Sequence, residues 1–167
     1  MLLSAFTLFH VAVSLAAIAA GFVVVAELAH NRLSDRLINF FLATTAITSI
    51  TGFLFPFHGI TPGQVLGVLS LIALAVAVVA RKRLATQHRL RRTYVVSLLV
   101  SLYFNVFVLV VQSFEKVPSL HVLAPTQKES PFKIAQLGVL LLFVVIGFVT
   151  VTRYRGEPER ALRAANS

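Results

Sequence analysis

Apolar residues in this chain come in five long runs separated by short polar breaks. The runs fall at about 5–27, 37–55, 63–80, 94–114 and 134–152, each near the ~20 residues a helix needs to cross the hydrocarbon of a bilayer. The third is the shortest. Runs of this length predict membrane-spanning helices rather than the half-buried helices of a soluble core. The expected fold is an all-α helical bundle of about five transmembrane helices over 1–154, followed by a short cytoplasmic tail, 155–167.

Local signals support the helix starts. Thr61-Pro62-Gly63-Gln64 fits a capping box with proline at the first helical position. Ser130-Pro131 opens the fifth span in the same way, and Ser34 is placed to cap the second. Thr126 with Glu129 forms another capping-box spacing, which predicts a helical turn inside the loop between the fourth and fifth spans.

The polar residues within the runs follow helical spacing. Ser97, Ser101, Asn105, Gln112 and Lys116 share one stripe of the fourth span. Thr44, Thr45, Thr48, Thr51 and Gly52 share a face of the second. His10, Ser14, Ala17 and Gly21 share a face of the first, and Gln136, Gly147 and Thr150 align on the fifth. Lipid gives no hydrophobic drive for helix association, so small and hydroxyl side chains on one face mark helix packing. Asn105 and Gln112 ask for more, because lipid would leave every hydrogen-bonding position of a primary amide unpaired. Both are expected to face the bundle interior.

Composition sharpens this picture. Of the 167 residues, 57% are hydrophobic and 13% charged, against about 25% charged in a soluble domain. The net charge of +9 lies at the ends of the runs. Twelve basic residues fall on one side, in 28–36, 81–92 and the tail; three, Lys116, Lys128 and Lys133, fall on the other. The positive-inside rule then puts the N-terminus outside and the basic end in the cytoplasm. The first run lacks the positive leader of a signal peptide and is expected to remain as a helix. Segment 81–92, RKRLATQHRLRR, has no aromatic residue for stacking on bases, so it points to an anionic leaflet and not to nucleic acid. The absence of cysteine removes disulfides and thiol chemistry.

The remaining polar groups gather on the expected outer side. They are His10, His58, Asn105, Gln112, Lys116, His121, Thr126, Gln127 and Gln136, borne in part on proline-stiffened loops. They form the candidate ligand-binding set. Lys116 also has a plain use in snorkelling, and His10 one as an interhelical hydrogen-bond partner. Glu27 is placed to sit among headgroups or to pair with Arg32. No metal-ligand spacing, nucleophile elbow or phosphate loop is present, so no catalytic or metal residue is assigned.

Two runs, TSITGFLFPF (48–57) and NVFVLVVQSFEKVPSLHVLAPTQKESPF (105–132), resemble a group of small bacterial integral membrane proteins with no assigned function. The resemblance covers most of the chain and implies a bacterial inner-membrane protein. It implies no activity and no site residue.

Three functional expectations follow. One is a non-enzymatic module whose outer polar pocket binds a small molecule, a lipid or a membrane partner protein. A second is a redox protein holding haem or a quinone near the outer face; His10, His58 and His121 motivate it, although only His10 lies firmly within a span. A third is an oligomeric transporter or channel, with Ser14, Ala17 and Gly21 as the face between copies. The bilayer itself is the one partner every reading shares, and no cofactor is required by the first.

Overall fold

A computed structural model describes residues 2–32, 34–55, 62–84 and 90–154. His58, Thr61 and the tail 155–167 lie outside the described residues, so the capping box at Thr61 and any role of His58 are not addressed by it. Among the described residues the chain is all-helical. The elements are α1 (Leu2–Ala29), α2 (Asp35–Gly52), α3 (Pro62–Arg83), α4 (Leu90–Lys116), α5 (Pro118–Leu123) and α6 (Ser130–Arg153).

Segments within α1, α3, α4 and α6 are long and apolar enough to cross a membrane: Ser4–Ala29, Gly63–Arg83, Leu90–Lys116 and Ser130–Arg153. Their outer faces carry Leu8, Phe148, Ile134, Ile72 and many other large apolar side chains in the open. Water would penalise such a surface, and lipid does not. The chain is a multi-pass membrane protein. α2, at 18 residues, is more polar, with Asp35, Arg36 and Asn39 in its first turns and a threonine-rich second half. It ends at Gly52, short of the expected 55, with Phe53 as its C-cap.

The turn from α1 to α2 is tight because the backbone at Asn31 adopts a left-handed φ of 56°. The Arg32 N–H then reaches back to the Glu27 carbonyl (2.7 Å) and the Asn31 N–H to Leu28 (3.0 Å), which satisfies the last carbonyls of α1 in a Schellman arrangement. The Glu27 carboxylate accepts the Ser34 N–H at 3.1 Å. That carboxylate therefore fastens the turn. Ser34 occupies the N-cap position of α2 without a side-chain capping bond.

α1 and α2 run antiparallel in register, from Glu27 with Ser34 at one end to His10 with Thr51 at the other. α3 packs between α2 and α4, α4 returns against α1, and α6 lies in the groove between α1 and α4. The core runs through this arrangement as Leu28, Ile38, Phe41, Ala77, Leu98 and Leu102, among others. Phe143 of α6 fills the groove, with its ring 6.0 Å from Phe22 of α1 and 5.5 Å from Tyr103 of α4.

The small-residue stripe of α1 is an internal seam. Ala17 and Gly21 are buried, and a Cβ added at Gly21 would come within 2.5 Å of Leu102 Cδ1 and 2.8 Å of Phe41 Cε2. The Ser14 hydroxyl donates to the His10 carbonyl at 2.7 Å and lies 3.5 Å from Thr48 Oγ1 of α2. This corrects the expectation that Ser14, Ala17 and Gly21 form a face between copies: α2 and α4 already cover it.

Candidate functional site

The C-terminal half of α4 is the scaffold of the candidate site. Three carbonyls on one face of it, at Phe107, Val111 and Phe114, each receive a side chain from the chain that follows. The Gln136 amide of α6 donates to Phe107 O (3.2 Å), the Gln127 amide to Val111 O (3.4 Å), and the His121 Nδ1–H to Phe114 O (3.3 Å). The spacing of four and three residues keeps the acceptors in line along the helix.

The reason is local for Phe114. Its helical donor would be the N–H of residue 118, which is proline and has none. The orphan carbonyl takes His121 instead. Pro118 likewise starts the six-residue α5, with Val117 as its N-cap. The helical turn expected at 126–129 is not where the loop coils; the short helix precedes it.

Between α5 and α6 the chain is organised by Glu129. Its Oε1 accepts the Thr126 hydroxyl (2.8 Å) and N–H (3.3 Å), and Oε2 accepts the Lys128 N–H (3.0 Å). The Thr126 hydroxyl, with these backbone N–H groups, holds the carboxyl below its usual range. Gln127 has a left-handed φ of 58°, which turns its side chain back under α4. Ala124 is fully buried, and the Phe114 ring meets Phe132 edge-on at 5.4 Å. Glu129 is the N-cap of α6, with Ser130 and Pro131 just inside the helix.

The other expected residues are spread over the bundle. Asn105 does face inward, donating to the fully buried Thr45 hydroxyl of α2 at 3.2 Å. Gln112 does not: it is exposed. Helical spacing puts it on the Asn105 stripe, but the stripe leaves the packed interior before reaching it. Lys116 pairs with its neighbour Glu115 at 2.7 Å and is open to the surface. His10 sits apart, near the start of α1. The Thr51 hydroxyl gives its one proton to Ile47 O (2.7 Å), so the His10 Nδ1–H donates to Thr51 Oγ1 at 2.8 Å, and the imidazole packs edge-on against Phe55.

His121, Gln127 and Gln136 are therefore brought together on α4, with Thr126 beside them, while His10 and Asn105 belong to the α1–α2 and α2–α4 seams. Three of the set hold the protein's own backbone, and His10, Asn105, Thr126 and Lys116 bond to its side chains. At this end of the bundle the apolar Val117, Val122 and Leu123 are exposed, as are Gln112, Lys116 and His121. Sequence reasoning passed over those apolar residues because α5 is too short to show a period. The signal that would have found it is Pro118 four residues after Phe114. Among the described residues no group of three His, Cys, Asp or Glu side chains comes together as metal ligands would.

Comparison with protein-family models, with curated proteins and with solved structures finds no match for this chain.

Proposed function

We propose that this chain is a non-catalytic multi-pass protein of the bacterial inner membrane whose outward end recognises another membrane protein. In this reading all five long helices cross the bilayer, the N-terminus is outside and the Arg81–Arg83 end is in the cytoplasm. The support for orientation is the charge bias of twelve basic residues against three.

One observation carries the recognition role. His121 and Gln127 fasten the α5 segment and the following turn to α4 carbonyls, and Gln136 fastens the start of α6 to the same helix. That fastening holds Val117, Val122 and Leu123 in the open at a helix tip, where Val122 is 79% exposed. A rigid platform with an apolar centre and a rim of Gln112, Lys116 and His121 has the anatomy of a protein interface. A rigid surface loses little conformational freedom on binding.

The test uses a photo-crosslinking amino acid at Val122 in living cells, with Ile72 on the lipid face of α3 as the comparison. The expected result is a discrete protein adduct from Val122 and lipid adducts alone from Ile72. Lipid adducts alone from both positions would reduce α5 to a segment resting on the bilayer surface and defeat the proposal.

A further inference from the structure

We infer that the groove between α4 and α6, at the basic end of the bundle, is a site for one anionic phospholipid. The acyl chain lies in the groove and the phosphate meets Arg92. This site is separate from the α5 platform and stands without it; only the assignment to the cytoplasmic leaflet shares the orientation proposed above.

The groove is an open, almost wholly apolar channel of about 410 Å³, walled by Leu99, Val100 and Tyr103 of α4 and by Phe143, Val144 and Gly147 of α6. Gly147 is what keeps it open. A Cβ there would only touch Leu99 Cδ1 at 3.7 Å, so backbone crowding does not demand glycine, and any larger side chain would project into the channel space. A bilayer supplies acyl chains to every such channel, and a flexible methylene chain fits an apolar wall without leaving a polar group unpaired.

The charge comes from the helix period. Val96, at the basic end of the groove, is preceded one turn earlier by Arg92 on the same face of α4. Arg92 is exposed, and no ion pair engages it among the described residues. Helical side chains lean toward the helix N-terminus, which takes the guanidinium away from the channel and up to headgroup level. A planar guanidinium matches phosphate oxygens in a two-pronged contact. Basic pockets between membrane helices on the cytoplasmic side suit anionic headgroups for this reason. By contrast Arg81, at the same end of the bundle, is taken up by Asp35 and Asn39.

Native mass spectrometry of the full chain in mild detergent tests the site, titrated with phosphatidylglycerol or with phosphatidylcholine of the same acyl chains. The unaltered protein should retain one phosphatidylglycerol at higher occupancy than phosphatidylcholine, by about fivefold. Arg92→Gln should remove the preference, while Lys82→Gln, on α3, should keep it. Gly147→Leu should lower retention of both lipids with helical content unchanged by circular dichroism. Equal occupancy of the two lipids in the unaltered chain would overturn the inference. So would a preference that survives Arg92→Gln, an equal loss from Lys82→Gln, or unchanged retention in Gly147→Leu.

Discussion

Gly21 shows how much of this fold rests on single atoms. Three helices meet at its Cα hydrogens, and a methyl group has no room beside Leu102 and Phe41. Gly21→Ala should lower stability by about 1–3 kcal/mol, the usual cost of overpacking a filled interior. Gly138→Ala, with nothing within 4 Å in the middle of α6, should raise it by up to about 1 kcal/mol. Reversible unfolding in mixed micelles reads both. Tyr94 is the opposite case. Its hydroxyl is buried with no hydrogen-bond partner among the described residues, so Tyr94→Phe should cost nothing and gain up to about 1 kcal/mol. A clear loss in the same assay would mean that the hydroxyl is held by a group the buried contact does not include. Asn105 and Gln112 separate by role. Asn105→Leu should cost ~0.6 kcal/mol for the lost bond to Thr45 and leave the Val122 crosslink intact. Gln112→Ala should weaken the crosslink without moving stability.

At the level of elements, α4 is the organiser, and its carbonyls do work that side chains do elsewhere. The long apolar spans were legible because their length alone excludes a soluble helix. Asn105 was legible because an amide in lipid must turn inward. Gln112 was not, since periodicity gives an angle around a helix but not where the neighbouring helices stop. The bonds of His121, Gln127 and Gln136 to α4 were hidden for a different reason: their acceptors are backbone atoms, whose positions sequence patterns do not mark. Only the missing N–H of Pro118 leaves a trace. The turn before α6 has its own signature. Glu129 is depressed by the Thr126 hydroxyl, so the order it gives is present above the usual carboxylate range and is lost as pH falls through its lowered value. Thr126→Val should raise the Glu129 pKa toward the ordinary 4.5, as followed by carboxyl NMR on the labelled protein. No upward shift would remove the hydroxyl as the cause.

On the scale of the whole molecule, the core where α1, α2, α3 and α4 meet joins large apolar side chains to buried small and hydroxyl residues, and α6 is the most lipid-exposed of the long helices. Such a bundle keeps its polar groups at the seams and the two ends. The ends differ in kind. One carries Arg81, Lys82, Arg83, Arg91 and Arg92; the other carries α5 and its apolar platform. Recognition by α5 requires that its end face outward, and the cysteine-free sequence makes that directly measurable. Single cysteines at Val122 and at Lys82 should be treated with a membrane-impermeant maleimide on cells whose outer barrier has been opened. The expected result is labelling of Val122→Cys in intact cells and of Lys82→Cys only after lysis. Labelling of Lys82→Cys in intact cells, with Val122→Cys protected until lysis, would contradict the outward placement of α5 and the recognition role built on it.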